Sequence, residues 1–163
     1  MKKITLIRHA KSSWKHNVSD RERPLKSRGY NDAALISEAL KENNFTSEAY
    51  FSSPAQRALT TAELILSDLG IDVSTIEIRE ELYDFNGDQV IRFIKALPES
   101  LNSIVVFGHN NALTNISNTF GNMVIDNLPT CGVIILSFKS ETWNSIQRGT
   151  TEFFMTPKQL KNE

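Results

Sequence analysis

Apolar residues fall along the chain in short blocks whose spacing switches between two and about 3.6 residues, the pattern of strands alternating with helices. Ile4-Thr5-Leu6-Ile7 is a β-rich apolar run that stops at Arg8-His9, as a buried strand feeding a polar loop does. Lys11 to Arg28 carries Ser, Asn, Asp, Pro and many charges without a period and reads as a loop. From about Lys26 to Asn43, Ala33, Ile36, Ala39 and Leu40 recur at helical spacing, and Asn43-Asn44 closes the segment. Ala49 to Ser52 is a second short strand. Ser53 as N-cap and Pro54 at the first helical position then open a helix to about Leu69, with Gly70 as its stop.

The pattern repeats. Ser74 to Ile78 alternates as a strand, Arg79 to Gly87 is a largely polar loop, and Asp88 caps a helix with the apolar face Val90, Phe93, Ile94 and Leu97, ended before Pro98. Ile104-Val105-Val106-Phe107 is the strongest buried-strand signal, followed by Gly108-His109-Asn110 and a helix to about Phe120. Gly132 to Phe138 and Thr151 to Met155 predict two more strands in a hairpin at a sheet edge, and Pro157 to Glu163 reads as a peripheral tail. Strands and helices in alternation predict a three-layer α/β/α sandwich with a mostly parallel central sheet and an antiparallel edge.

Length and charge narrow this only a little. A chain of 163 residues predicts one domain spanning 1–163, and 40% hydrophobic with 23% charged residues excludes a disordered or collagen-like chain. Lys+Arg 18 against Asp+Glu 19 leaves a net charge of -1, so nothing draws the whole molecule to nucleic acid or to an anionic membrane. Any anionic partner must be attracted by a local cluster. The start MKKITLIRHAK resembles a signal peptide, but its apolar run breaks at Arg8, short of the ~7–15 residues such a segment needs. No stretch reaches the ~18 apolar residues of a membrane span. With Cys131 as the one cysteine, no intrachain disulfide can form, and a cytoplasmic location is the expectation.

Ligands of open α/β sheets bind beyond the carboxyl ends of the strands. Directly after the predicted strands stand Arg8-His9, then Ser52-Ser53 with Arg57 a turn later, then the Glu80 to Asp84 loop, then His109. Two arginines and two histidines thus gather at one edge, a set suited to phosphoryl transfer. Guanidinium forks match phosphate oxygens and neutralise a dianion, and their charge keeps a neighbouring imidazole neutral and nucleophilic. There is no G-x-x-x-x-G-K-[ST] loop and no strand-borne G-x-G-x-x-G. Cys131 has no arginine placed to serve a cysteine nucleophile and reads as a buried structural thiol. His9, His16 and His109 lack metal-pair spacing, so zinc is not expected. His9 is the remaining nucleophile.

At these residues the chain resembles the histidine phosphatase superfamily that includes phosphoglycerate mutases. Leu6-Ile7-Arg8-His9-Ala10 is a variant of that family's R-H-G signature, with Ala10 in the glycine position. Ser52-Ser53-Pro54-Ala55-Gln56-Arg57-Ala58 with Thr60-Thr61-Ala62, and Val106-Phe107-Gly108-His109-Asn110, complete the match. Arg8-His9-Ala10-Lys11-Ser12, Arg23-Pro24-Leu25 with Arg28-Gly29, and Leu82-Tyr83-Asp84 look most like its small SixA-type phosphohistidine phosphatases. The resemblance implies a phosphoglycerate mutase-like fold and phosphorylation of His9 on nitrogen, with Arg8, Arg57 and His109 enclosing the phosphoryl group. Water then hydrolyses the intermediate, with no metal or organic cofactor.

The resemblance is weakest at the general acid. Family members often carry a glutamate in the loop after the third strand; here Asp84 stands at the matching place, with Glu80 and Glu81 as alternatives. A poorly placed acid is tolerable for phosphohistidine, whose protonated imidazole leaves far more readily than an alkoxide. Lys11, Ser12 and Asn17 are candidates for the mouth of the pocket, and Trp14 for a lid or a loop anchor. Arg23 and Arg28 read as structural ion-pair residues or as steering charges, and His16 as an exposed loop residue. The expected activity is a cofactor-independent phosphatase acting on a phosphorylated substrate, foremost a phosphohistidine protein. A mutase-like or small-molecule phosphomonoesterase activity, or a non-catalytic phosphate-binding module, are the alternatives. The short chain leaves little room for the closing loops a mutase requires.

Overall fold

The computed structural model describes residues 1–162. Six strands, β1 (Lys2–Arg8), β2 (Ala49–Ser52), β3 (Ile76–Ile78), β4 (Ser103–Gly108), β5 (Val133–Phe138) and β6 (Thr150–Met155), form one sheet in the order β3-β2-β4-β1-β5-β6. The first four in that order are mutually parallel. β5 runs antiparallel to β1, and β6 antiparallel to β5. The expected parallel sheet with an antiparallel edge is the one observed.

Period-two alternation in the central strands divides the core. Ile4, Leu6, Ile104 and Val106 face one side, where they meet Val90, Phe93 and Ile94 of α3 (Asp88–Lys95) and Leu113, Ile116 and Phe120 of α4 (Ala112–Phe120). Ile7, Val105 and Phe107 face the other, against Ala33, Ile36 and Leu40 of α1 (Ser27–Glu42) and Ala62, Ile65 and Leu66 of α2 (Gln56–Asp68). Both faces are covered, so β1 and β4 are near-continuous apolar runs, as their sequence anticipates. Truncating a central residue such as Leu6 to alanine would cost ~2–5 kcal/mol.

Several boundaries differ from the sequence pattern, each for a local reason. Ser53 is not the cap of α2. Ala55 holds that position, and the Ser53 hydroxyl accepts a hydrogen bond from the Ala55 N–H at 3.1 Å while also meeting His109. At the other end the prediction holds: Leu69 ends α2 and Gly70 follows at φ 77, with the Ile71 and Gly70 N–H groups bonded back to Leu66 and Ser67 carbonyls. The strand expected from Ser74 begins at Ile76, because Val73–Thr75 turns as a 3₁₀ helix capped by Asp72. Asp88 is the first residue of α3 rather than its cap. The tail is less peripheral than its composition suggests. Residues Pro157–Lys161 form α5, opened by a Thr156/Gln159 capping box, and Lys161 Nζ lies 2.8 Å from the buried Asp32 carboxylate on α1.

The segment between β1 and α1 is a loop with one 3₁₀ turn at Asp20–Glu22 and a lone bridge between Ser12 and Leu25. Its start lies flat on α1. A Cβ on Gly29 would sit 2.4 Å from the Lys11 carbonyl oxygen, so only glycine lets the helix approach the chain leaving β1.

Candidate active site

β1 and β4 pair in parallel with Arg8 opposite Gly108, so the residues after them, His9 and His109, emerge side by side. The His9 N–H donates to the Gly108 carbonyl at 3.1 Å, and the two imidazole centroids are 5.3 Å apart. β2 flanks β4 on its other side and leads through Ser53 into α2, whose second residue is Arg57. Arg8, His9 and Arg57 share a cleft of about 280 Å³ with Lys11, Ser12, Trp14, Asp20, Arg23, Phe85 and Thr130. A larger cleft of about 420 Å³, lined by Arg79, Arg92, Phe93 and Pro98, contains neither histidine. Chemistry rather than size marks the site.

His9 is buried, and its Nδ1 lies 2.8 Å from the carbonyl oxygen of Ala10. A carbonyl only accepts, so Nδ1 carries the proton and Nε2 keeps its lone pair. Burial first, then the charges of Arg57, Arg8 and Arg23, hold the His9 imidazolium down to a pKa of about 3, against the pull of the Ala10 bond. The arginines act in the expected direction, and desolvation does more. The residue after the nucleophile is itself fixed: the Ala10 N–H donates to Thr61 Oγ1 at 2.9 Å.

The second histidine meets a hydroxyl where the first meets a carbonyl. Ser53 Oγ accepts from the Ala55 N–H at 3.1 Å and shares a 2.8 Å hydrogen bond with His109 Nε2. Where the Ser53 hydroxyl donates to Nε2, His109 carries its proton on Nδ1. That Nδ1, Arg8 Nε and Arg57 Nε are buried nitrogens with no hydrogen-bond partner among the described residues. Leaving a buried donor unpaired costs ~1–3 kcal/mol, so these groups favour an acceptor-rich anion. Burial, followed by the charges of His9 and Arg57, holds the His109 pKa at about 3. Arg8 also donates through Nη1 to the Leu128 carbonyl at 3.0 Å, which fixes the start of its fork.

Other expected residues separate into those at the cleft and those away from it. Lys11 and Ser12 line it, and Ser12 Oγ accepts from Arg23 Nη2 at 2.6 Å. Arg23 lines it too and stacks its guanidinium 3.2 Å from the centroid of the exposed Trp14 ring. Arg28 lies 3.6 Å from Asp32 on α1, outside the cleft. His16 and Asn17 are exposed. Cys131 is buried, and burial pushes its thiol pKa up, which makes it inert. Among the described residues no cluster of three His, Cys, Asp or Glu side chains is placed to hold a metal.

The loop after β3 sets Asp84 against backbone donors. Asp84 is 4% exposed, and its Oδ2 accepts from the N–H groups of Gly87, Gln89 and Val90 at 3.1, 3.0 and 3.1 Å. Its carboxylate closes the N-terminus of α3, where orphan N–H groups need acceptors. Glu80 and Glu81 are ion-paired with Arg21 and Arg79. The carboxylate that enters the cleft is Asp20. Its Oδ2 is 3.0 Å from Arg57 Nη2 and accepts from the Tyr83 hydroxyl at 2.5 Å, and its Oδ1 is 3.1 Å from Arg23 Nη1. In the sequence Asp20 lies inside the charged run Asp20-Arg21-Glu22-Arg23, which reads as solvated loop. Only the fold of that loop back over α2 brings it to Arg57.

Residues 4–90 match the model of the histidine phosphatase superfamily, branch 1. Rv1276c of Mycobacterium tuberculosis (strain ATCC 25618 / H37Rv), itself uncharacterised, is 29% identical over 153 residues, covering 88% of this chain and 93% of that protein. The structure of the protein histidine phosphatase SixA complexed with tungstate is similar with a TM-score of 0.82 at 23% identity, covering 97% of this chain and 99% of the other. Mycobacterial glucosyl-3-phosphoglycerate phosphatase Rv2419c is similar at 0.67 and 12% identity, with 93% and 97% covered. With Arg8, His9, Arg57 and His109 gathered as described, this chain belongs to the histidine phosphatase superfamily, branch 1, and is a phosphatase.

Proposed function

We propose that the protein removes phosphoryl groups through a covalent phosphohistidine on Nε2 of His9, and that its substrate is phosphohistidine carried on a protein. The observation that carries the first half is the pairing of His9 Nδ1 with the Ala10 carbonyl, which leaves Nε2 unprotonated beside the half-buried Arg8 and the buried Arg57. Nε2 attacks phosphorus while Arg8 and Arg57 neutralise the equatorial oxygens and His109 Nδ1–H donates to one of them. The P–Nε2 bond forms as the bond to the leaving atom breaks. Water then attacks the phosphoryl group, the P–Nε2 bond breaks, and phosphate leaves.

Two features support a protein-borne substrate. Trp14 and Phe85 line the cleft and stand exposed at its mouth, where a macromolecular surface can reach them. SixA, a protein histidine phosphatase by name, is similar over nearly its whole length, whereas the glucosyl-3-phosphoglycerate phosphatase is a more distant likeness. The test is a parallel assay of a phosphohistidine protein, 3-phosphoglycerate and an aryl phosphate, with His9→Ala as the blank. The highest kcat/KM is expected on the phosphohistidine protein; a preference for 3-phosphoglycerate would overturn the substrate assignment.

A further inference from the structure

The geometry points to Asp20 as the catalytic residue that protonates the leaving atom, in a role created when the substrate displaces it from Arg57. The inference rests on the proposed His9 chemistry. In the free protein Asp20 occupies the Arg57 guanidinium twice over: Oδ2 lies 3.0 Å from Nη2, and the Asp20 backbone carbonyl accepts from Nη1 at 2.6 Å. Arg57 is 3% exposed and has no other anionic partner within 4.0 Å among the described residues. A phosphoryl dianion that takes the Nη donors of Arg57 displaces the Asp20 carboxylate, and the two anions then share the cleft.

That exchange inverts the electrostatics of Asp20. Burial alone raises its proton affinity, but the Tyr83 hydroxyl, Arg57 and Arg23 hold its carboxyl near a pKa of about 2 in the free protein. Once Arg57 turns to the phosphoryl oxygens, Asp20 loses its strongest cation and faces a dianion, and both changes favour the protonated acid. The proton enters with the substrate monoanion or from water. Asp20 is also free in a way that Asp84 is not: no backbone N–H of a helix terminus depends on it, and Tyr83 steadies it with a hydrogen bond that survives either protonation state.

In the first step the P–Nε2 bond to His9 forms, the bond from phosphorus to the leaving oxygen or nitrogen breaks, and the Asp20 proton passes to that atom. In the second, water attacks phosphorus and gives its proton to the Asp20 carboxylate while the P–Nε2 bond breaks. As phosphate leaves, Asp20 releases that proton to solvent and its carboxylate pairs with Arg57 again, which restores the free enzyme.

The experiment compares wild type and Asp20→Asn across aryl phosphates of graded leaving-group basicity, with Tyr83→Phe as a second variant and phosphoenzyme trapping on each. General-acid catalysis is worth ~10²–10⁴-fold, so Asp20→Asn should lower kcat/KM for phenyl phosphate by ~100-fold. For dinitrophenyl phosphate, whose leaving group needs no proton, the loss should stay under ~3-fold, and phosphoenzyme should accumulate because the second step has lost its base. Tyr83→Phe should keep the wild-type dependence on leaving group. An equal loss across the series would mark Asp20 as structural, and a uniform gain would mark it as a mere competitor for Arg57; either overturns the inference. Wild type that traps no phosphate on His9 overturns the underlying reaction instead.

Discussion

Two loops at the same sheet edge each bring an aspartate toward the histidines, and the two carboxylates do different work. After β3, Asp84 is buried and holds three N–H groups at the start of α3. After β1, Asp20 is partly exposed and holds nothing but the side chains of the cleft and one tyrosine. The difference arises from the next element in the chain. A helix begins four residues after Asp84, and its orphan donors claim the nearest acceptor. Asp20 sits in a short 3₁₀ turn whose own donors bond to backbone carbonyls, so its side chain remains available to Arg57. Proximity to a site in sequence does not decide a carboxylate's role; its competing obligations do.

The contrast can be tested at several strengths. The largest effect belongs to the nucleophile on the Asp20 side. His9→Ala should cost at least ~10⁴-fold in kcat on an aryl phosphate, the scale on which covalent nucleophiles are lost. Turnover near the wild-type rate would mean that water or another residue attacks phosphorus.

Next in size is an acid instability carried by the two histidines. Each has a folded pKa of about 3, against ~6.5 in an unfolded chain. Between those values the unfolded chain binds protons that the folded protein refuses. Stability is therefore fully present above about 6.5 and is lost as the pH falls toward 3, by ~1.4 kcal/mol per pH unit for each histidine. Urea midpoints from pH 7 to 5 should fall steeply in wild type and less in His109→Ala. Bound phosphate or tungstate should reduce the slope, because an anion favours the imidazolium.

Asp84→Ala comes third and separates the loops most cleanly. Removing the acceptor of three N–H groups should cost ~1–3 kcal/mol in chemical denaturation, while the folded variant keeps the wild-type dependence on leaving-group basicity. A flattened or steepened dependence would return Asp84 to the acid role. Ser53→Ala comes last. Without its hydroxyl, His109 is free to place its proton on Nε2, and kcat should drop ~10-fold, with ~1–3 kcal/mol of stability lost because the buried Ala55 N–H loses its acceptor. An unchanged kcat would show that Ser53 does not set the tautomer.

Much of this arrangement is legible in the chain because strands and their carboxyl ends are local in sequence. Ile4–Ile7 and Ile104–Phe107 are apolar on both faces, so they had to be central strands, and the residues just beyond a central parallel strand lie at the ligand edge. Arg8, His9, Arg57 and His109 are found together for that reason. The residues that the pattern misses are placed by contacts distant in sequence. Ser53 looks like a helix cap until β4 brings His109 to its hydroxyl, 56 residues away. Asp20 looks solvated until the loop folds over α2, and Lys161 looks like tail until Asp32 appears as a buried carboxylate on α1. Asp84 deceives in the other direction: its place in the loop fits an acid, and only the N–H groups behind it reveal the cap.

The nucleophile and its reacting nitrogen can be read in one measurement: rapid quenching of the ¹⁵N-histidine-labelled protein with excess aryl phosphate, followed by phosphorus–nitrogen NMR of the trapped species. Acid-labile, base-stable phosphate is expected on His9, with phosphorus coupled to Nε2, because Nδ1 is committed to the Ala10 carbonyl. Phosphate on Nδ1, on another residue, or on no residue during a full burst of turnover would contradict the covalent role of His9 Nε2.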